Sequence, residues 1–341
     1  MPAVAAVLML RFLIPSRLEG AEGGTTGLWA WLGYHQPLFL GVAFFVALSE
    51  AGRYWMSRLR TATGSPALAA SGGVTGRGIR RLFAALAVVV VVAFVLRGTV
   101  AATFRVAGPS MLPTLEIGDR VLVDRLAYGL NIPYTKVHLG RRTPARGDLV
   151  VFRANGLTGA DGPQSVVKRV IGLPGDDVSY ENGVLAINGW HVPACDAGPY
   201  VHVSGHLTVR GRLTVEYLGD DAFLTVRKPI EHSFPNYTVA PGEVFVVGDD
   251  RGLSSDSRLW NEGRGAGVPS DSLEGRVSRV LLGARPDGRL DFGRLLTRPF
   301  GLTVRLPGFD IGKVDERISN CLARRPTDTS PPPPAALSIP R

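Results

Sequence analysis

The residue best suited to covalent chemistry in this sequence is Ser110, in the stretch GPSMLPTLEIGDRVLVDRLAYG from Gly108 to Gly129. Pro109 and Pro113 restrict the backbone on both sides of the serine, so we expect its hydroxyl in an extended or turn-like segment rather than on a helix. A serine hydroxyl is a weak nucleophile that needs a base, which a desolvated lysine, a histidine or a metal could supply. Ser110 alone is therefore compatible with two interpretations, a nucleophile or an ordinary turn residue.

A candidate base is Lys168, which lies in the apolar run SVVKRVIGL at residues 165–173. Alternation along a strand places Val166 and Val170 on the same face as this lysine. Burial among apolar neighbours disfavours the charged amine, so it lowers the pKa of a lysine from its ordinary value of about 10.4. Arginine stays protonated in proteins and cannot act as a base, and only four of the 38 basic residues are lysines. Lys168 therefore indicates chemistry, although an exposed lysine on an edge strand is the alternative.

The N-terminal third of the chain is predicted to be a membrane anchor. Residues 28–49 and 82–104 are long and apolar enough to cross a bilayer as helices. Residues 50–81 contain six arginines and a single acid, so the positive-inside rule makes them a cytoplasmic loop and places the chain after the second helix outside. Residues 1–27 form an N-terminal extension, and whether residues 1–14 enter the membrane stays open.

Two alternatives exist for residues 82–104. A buried core helix is disfavoured because the segment has no polar face and follows a basic cluster. A cleavable signal is disfavoured because a long segment precedes it. An uncleaved anchor is therefore the preferred interpretation.

Residues 105–314 are predicted to form a mainly β, antiparallel domain outside the membrane. Short runs rich in β-branched residues alternate with turns, and no long amphipathic helix intervenes. Asn-Gly pairs at 182–183 and 188–189 are flanked by strand-like runs, the pattern typical of hairpins. We expect inserted hairpins at about 177–242 and a disordered, proline-rich tail at 315–341.

Composition excludes several other functions. The net charge of +9 is not accompanied by a basic run with interleaved aromatic residues, so nucleic-acid binding is not expected. Cys195 and Cys321 are too few for a metal cluster or a disulfide framework, and their pairing stays open because the second lies near the tail. His202 and His206 lie on a predicted strand and turn, which does not suit a metal pair. We predict no cofactor and no metal.

Four motifs, in their order along the chain, resemble those of the bacterial type I signal peptidases. They are SMLPTLEIGD at 110–119, RGDLVVF at 146–152, KRVIGLPGD at 168–176 and GDDRGLSSDSR at 248–258. The resemblance covers residues from about Phe104 to Leu282, together with the predicted membrane topology before them. It implies a membrane-anchored serine endopeptidase with an antiparallel β catalytic domain.

The resemblance also implies roles for individual residues. Ser110 would attack the scissile carbonyl and Lys168 would take its proton. Ser254 would hydrogen-bond and orient the lysine amine, while Asp256 and Arg258 would form a supporting ion pair. These last three residues lie in a polar turn-like segment, so a solvated pair of turn charges is the alternative for Asp256 and Arg258.

Two positions depart from the family pattern. Asp250 replaces an asparagine of the last motif, which puts in doubt any amide contact at this position. Gly108 occupies the position two before the nucleophile, where some members have a hydroxyl residue. The developing oxyanion would then be bound mainly by the backbone N–H of Ser110.

The implied partners are preprotein signal peptides and the lipid bilayer, with the export machinery as a further candidate. The implied location is the cytoplasmic membrane, crossed more than once, with the catalytic domain on the extracytoplasmic side. Two alternatives remain open at this point. One is a specialised relative with the same serine and lysine but a narrow set of substrates, and the other is an anchored β-domain that binds signal segments without cutting them.

Overall fold

The computed structural model describes residues 99–131, 138–154, 164–228, 233–299 and 311–334. Within these residues the chain forms seventeen strands and one α-helix. The elements are β1 (Ala101–Arg105), β2 (Arg120–Asp124), β3 (Leu130–Asn131), β4 (His138–Leu139), β5 (Leu149–Arg153), β6 (Ser165–Gly172), β7 (Asp177–Glu181), β8 (Val184–Ile187), β9 (Trp190–His191), β10 (Ala194–Ser204), β11 (Leu207–Leu218), β12 (Asp221–Arg227), β13 (Phe234–Thr238), β14 (Glu243–Val247), β15 (Val268–Pro269), β16 (Leu273–Ala284), β17 (Leu290–Asp291) and α1 (Ile311–Ala323).

The largest sheet carries the central part of the fold. Its strand order is β1-β2-β16-β5-β6-β14-β15, with β17 paired to β16, and every pairing is antiparallel. β5 is buried along most of its length because apolar clusters cover both faces. The prediction of a mainly β, antiparallel domain is therefore confirmed.

The chain between β6 and β14 leaves the large sheet and builds two smaller ones. β7, β8, β9 and β13 form a four-stranded sheet, and β10, β11 and β12 form a three-stranded sheet that we call the inserted sheet. Both are antiparallel. Because β6 and β14 pair directly with each other, everything between them is an insertion at one point of the large sheet.

The start of the domain differs from the sequence-based expectation. We predicted a membrane helix as far as Phe104, but Ala101–Arg105 is strand β1, paired residue by residue with β2. The segment AATFR is apolar and also has a β-branched residue, so its own composition fits either structure. The segment is a strand because it pairs with β2, which begins fifteen residues after β1 ends. The predicted helix at 28–49 and residues 82–98 of the second one lie outside the described residues.

The C-terminal segment also differs from the expectation. We predicted disorder from residue 315, but α1 continues to Ala323 and the chain is ordered to Pro334. Ile318 and Cys321 of the helix are buried in the core of the inserted sheet, together with Leu112 from the serine motif. Cys195 and Cys321 form a disulfide bond. The order of this segment therefore depends on contacts with distant strands, which its proline-rich composition does not reveal.

Beyond α1 the chain hydrogen-bonds to both the inserted sheet and the four-stranded sheet. Gly219 donates its N–H to the carbonyl of Thr329 at 2.6 Å and accepts from Arg325 at 2.7 Å. Further along, Asn188 donates to the carbonyl of Pro332 at 2.8 Å. These contacts connect the inserted sheet to the four-stranded sheet.

Replacing Cys321 with serine should lower the free energy of unfolding by about 2–4 kcal/mol, since the bond closes a long loop and restricts the unfolded chain. The two cysteines are 126 residues apart in sequence. Chemical unfolding of the wild-type chain and the variant, each with and without dithiothreitol, measures the difference. Because no other cysteine is present, the reductant should destabilise only the wild type. An equal response of the two proteins would contradict the prediction.

No helix in the described part of the chain is both long and apolar enough to cross a bilayer.

Candidate active site

Ser110 lies in a single turn of 3₁₀ helix, Pro109–Met111, which follows β1. Gly108 before it has an extended backbone, and Leu112 closes the turn by donating its N–H to the carbonyl of Pro109. Met111 and Leu112 are both buried, so apolar packing fixes the turn on each side of the serine. The prediction placed Ser110 in an extended or turn-like segment rather than on a helix; the residue lies in one 3₁₀ turn, flanked by extended backbone at Gly108 and Leu112.

Lys168 lies in the middle of β6, opposite Val150 of β5, and only 2% of its surface is exposed. Its Nζ donates to the Oγ of Ser110 at 2.6 Å. This distance allows a proton to pass between the two atoms. The structure therefore brings together the two residues that were singled out from the sequence, 58 positions apart.

The surroundings of Lys168 depress the basicity of its amine. Burial lowers its pKa from the usual value to about 8, and the guanidinium of Arg258 acts in the same direction. Nearby carboxylates oppose this effect, with Asp256 the most influential of them. A large fraction of the amine is consequently neutral at slightly alkaline pH, as a base requires.

Asp256 and Arg258 form a buried ion pair beside the lysine. Arg258 Nε and Nη2 bind the two carboxylate oxygens of Asp256 at 2.9 Å each, and Asp256 also accepts the backbone N–H of Gly248 at 2.9 Å. Burial raises the pKa of the Asp256 carboxyl, but Arg258, Lys168 and the N–H of Gly248 together more than offset it, so this pKa lies below its usual range. The pair is buried rather than solvated, which contradicts the alternative of a simple turn pair.

Ser254 lies in the site but does not make the expected contact. Its Oγ is buried and has no hydrogen-bond partner among the described residues, so the expected bond to Lys168 is absent there. The side chain packs against the α-carbon of Gly248 instead. A Cβ added to Gly248 would also lie 2.6 Å from the Ser110 carbonyl oxygen, so glycine allows Ser254 and Ser110 to converge here.

The two family departures have clear structural settings. Asp250 donates its backbone N–H to the carbonyl of Ser110 at 3.1 Å, so this contact uses the main chain and does not need an asparagine amide. The Oδ1 of Asp250 accepts the N–H groups of Gly252 and Leu253. A Cβ at Gly108 would meet nothing within 4 Å, which leaves open space on that side of Ser110.

A buried cluster that was not predicted from the sequence lies on the face of β6 opposite to the side chain of Lys168. Arg169 donates to both carboxylate oxygens of Asp249 at 2.7 and 2.6 Å and to the carbonyl of Gly147 at 2.9 Å. Thr114 of the serine motif also binds Asp249, and the Arg169 guanidinium lies 4.2 Å from the ring centre of Phe223. Alternation along β6 turns the side chain of residue 169 to the face opposite that of Lys168, and the apolar run around it indicates burial. An arginine is not distinctive in so arginine-rich a chain, however, so the residue type alone did not indicate this cluster.

Comparisons with known proteins agree with these motifs. A family model described as "Signal peptidase, peptidase S26" matches residues 79–282. Signal peptidase I of Pseudomonas aeruginosa is 34% identical over 201 residues, which cover 57% of this chain and 66% of that protein. Signal peptidase I of Bacillus caldolyticus is 34% identical over 171 residues, covering 50% of this chain and 76% of that protein. The match thus spans just under two thirds of the length of the Pseudomonas relative.

A solved structure of a signal peptidase I from Enterococcus faecalis is 27% identical and covers 40% of this chain and 98% of its own, with a TM-score of 0.24. The region matched by the family model makes up more than half of the present chain and contains all four motifs, including Ser110 and Lys168. The chain belongs to the signal peptidase family, peptidase S26.

Proposed function

We propose that this protein is a membrane-bound serine endopeptidase of the signal peptidase I type, which cleaves N-terminal signal peptides from exported preproteins. The observation that carries the proposal is the 2.6 Å contact between Lys168 Nζ and Ser110 Oγ in a buried site. A protein that only binds signal segments would not need a desolvated lysine beside a serine hydroxyl. The relatives named above, which are signal peptidases I, support the same reaction.

In the proposed reaction, Ser110 Oγ attacks the scissile carbonyl carbon while neutral Lys168 takes the hydroxyl proton. The resulting tetrahedral oxyanion is stabilised by the backbone N–H of Ser110. The intermediate collapses by breaking the C–N bond, and Lys168 returns the proton to the leaving amine. Lys168 then deprotonates a water molecule, which attacks the ester carbonyl. The second tetrahedral intermediate breaks its bond to Ser110 Oγ, which regains the proton from Lys168, and the signal peptide leaves with a free carboxylate.

The other site residues would act through this pair. Asp256 and Arg258 would set the pKa of Lys168, which the first raises and the second lowers. Asp256 would also hold the backbone of Gly248, whose N–H it accepts. Ser254 would pack against Gly248 beside the serine turn rather than orient the amine through a hydrogen bond. The substrate segment would bind in extended form by pairing with an exposed sheet edge.

We propose further that residues 28–49 and 82–100 cross the cytoplasmic membrane and that the described domain lies on the extracytoplasmic side. The six arginines at 50–81 support this orientation. The disulfide between Cys195 and Cys321 supports it independently, because disulfides persist in oxidising compartments and are rare in the cytosol. Preproteins and the bilayer are then the direct partners, and the export machinery would deliver the substrate.

The proposal is tested by incubating the detergent-solubilised full chain with a purified preprotein and sequencing the N-terminus of the product. We expect one cut at the end of the signal peptide, and no cut with Ser110→Ala. Binding of the preprotein without cleavage would reject the proposed activity in favour of a binding protein. Cleavage restricted to a few preproteins in a panel would indicate the specialised relative.

The pH dependence of cleavage follows from the depressed pKa of Lys168. The base must be neutral, so kcat/KM should rise by about tenfold per pH unit on the acidic side. It should level off above a midpoint near the lysine pKa of about 8. The measurement is kcat/KM for a peptide substrate over a range of pH at constant ionic strength.

Asp256→Asn provides an internal check on that midpoint. The Asp256 carboxylate raises the pKa of Lys168 and Arg258 lowers it, so removing the negative charge should move the midpoint to lower pH. A wild-type midpoint near 6.5, typical of a free imidazole, that Asp256→Asn does not move would instead assign the base to a histidine.

A further inference from the structure

The inserted sheet reaches the candidate active site through the end of β12. Val226 donates its N–H to the carbonyl of Asp249 and accepts from the N–H of Arg251, both at 2.9 Å. Between these two residues, Asp250 donates its N–H to the carbonyl of Ser110 at 3.1 Å. The segment Asp249–Arg251 therefore lies between the inserted sheet and the peptide group of the nucleophile.

A buried carboxylate on the inserted sheet holds this segment. Glu216 of β11 has no exposed surface, and its Oε2 accepts from Arg251 Nη2 at 2.5 Å. Its Oε1 accepts from Arg227 Nη2 at 2.9 Å and from Thr225 Oγ1 at 3.2 Å. Burial raises the pKa of Glu216, but Arg251 and Arg227 more than offset this effect, so the pKa lies below its usual range. Glu216 is therefore charged at neutral pH.

The guanidinium of Arg251 contacts the carboxylate of Glu216 and, more distantly, the ring of Tyr180, whose centre is 6.0 Å away. Arg251 is buried, and its Nε and Nη1 have no hydrogen-bond partner among the described residues. The Glu216 carboxylate is the only side-chain acceptor that the described part of the chain provides for its guanidinium. Loss of the carboxylate would leave a buried cation without a counterion, and Arg251 would have to move toward water.

Movement of Arg251 would affect two parts of the site, the peptide group of Ser110 and the ion pair beside Lys168. The N–H of Arg251 is bound to Val226, and its neighbour Asp250 holds the Ser110 carbonyl. Its carbonyl accepts from Arg258 Nη2 at 2.9 Å, which connects the same segment to the ion pair beside Lys168. A displacement of the segment would thus alter the orientation of the serine peptide.

We infer that Glu216 is a positioning residue for Ser110, because through Arg251 it fixes the segment that hydrogen-bonds the serine carbonyl. The inference rests on the proposed function, since it concerns the geometry of that reaction. The side-chain hydrogen bonds of Glu216 in the described residues go to Arg251, Arg227 and Thr225, and not to Ser110 or Lys168. Its effect should therefore appear in the rate of the chemical step and not in the binding of substrate.

The test compares three variants of the full chain in detergent with a peptide substrate. Glu216→Gln should lower kcat per folded molecule by about 10- to 100-fold while KM stays within about twofold, as a small misplacement of the nucleophile would do. Arg251→Met should likewise lower kcat and leave KM nearly unchanged. Arg227→Met is the matched control, because it removes the other arginine on Glu216 and leaves Arg251 in place. It should keep kcat within about threefold of the wild type.

A purely structural role for Glu216 would give a different result. In Glu216→Gln the midpoint temperature of thermal unfolding would fall, but kcat per folded molecule would be unchanged. The folded fraction is measured by near-ultraviolet circular dichroism at a temperature well below that midpoint. An unchanged kcat would overturn the inference, as would equal losses of kcat in Arg227→Met and Arg251→Met. If Glu216→Gln does not fold, the inference is tested with Arg251→Met alone. A wild-type kcat in Arg251→Met would then reject it.

The failure of this inference is separable from failure of the proposed function. Cleavage by the wild type and its loss in Ser110→Ala support the function whatever Glu216→Gln does. Absence of cleavage by the wild type rejects the function before any variant is compared, and with it the inference.

Discussion

Replacing Lys168 with arginine should lower kcat by about 10²- to 10⁴-fold, the usual contribution of a general base. The arginine would keep the positive charge but would not deprotonate, so it could not take the proton of Ser110. Only 2% of the lysine surface is exposed, and its amine lies 2.6 Å from the serine hydroxyl, so water has little room to replace it as a base. The measurement is single-turnover cleavage of a preprotein by equal amounts of folded enzyme.

Lys228→Arg is the matched control for this experiment. Lys228 lies at the end of β12, where its amine is 3.4 Å from the carbonyl of Gly252, and its exchange for arginine should not change kcat measurably. Ser110→Ala should reduce cleavage to the same low level as Lys168→Arg, because each residue works only with the other. Activity of Lys168→Arg within a few-fold of the wild type would exclude the lysine as the base.

Replacing Gly248 with alanine should lower kcat by about 10²-fold or more, because the new methyl group would move the nucleophile. It would lie 2.6 Å from the Ser110 carbonyl oxygen and would overlap the side chain of Ser254. Overpacking of this kind also costs about 1–3 kcal/mol of stability. Kinetic assays and unfolding curves on the same preparation separate the two effects.

Gly108→Ala serves as the control for an added methyl group near the nucleophile. No atom lies within 4 Å of the position that its Cβ would occupy, and the backbone there is extended, so alanine fits without strain. Wild-type kinetics are expected for Gly108→Ala. Equal losses in both variants would mean that any change near Ser110 reduces activity, and the steric argument for Gly248 would be withdrawn.

Local patterns in the sequence were sufficient to predict the β-rich fold and to single out Ser110 and Lys168 as candidates, while their pairing as nucleophile and base was implied by the family resemblance. The Asn-Gly pairs do form turns, with Asn182 and Asn188 at φ values of 49° and 54°, because these residues tolerate a left-handed backbone. Burial of Lys168 followed from its position in a continuous apolar run, since such a strand is covered on both faces.

Features that depend on distant contacts could not be predicted in the same way. The strand at Ala101–Arg105 is specified by its pairing with β2, and the order of the tail by the disulfide and the inserted sheet. The hydrogen bond of Ser254 was taken from a family resemblance, but packing against Gly248 directs this side chain elsewhere. Glu216 lies in an insertion and gave no local indication of its link to Arg251.

The position of α1 in the core has a consequence for the order in which the protein can fold. Leu112 packs in the same apolar cluster as Ile318 and Cys321, although synthesis from the N-terminus produces Leu112 about 200 residues earlier. The large sheet can pair as soon as β16 has been made, but the cluster that supports the serine turn stays incomplete until the last turns of the chain emerge. Contacts of such long sequence separation form late because a large loop must close first. A growing chain would therefore contain both Ser110 and Lys168 well before the apolar cluster beside the serine turn is complete.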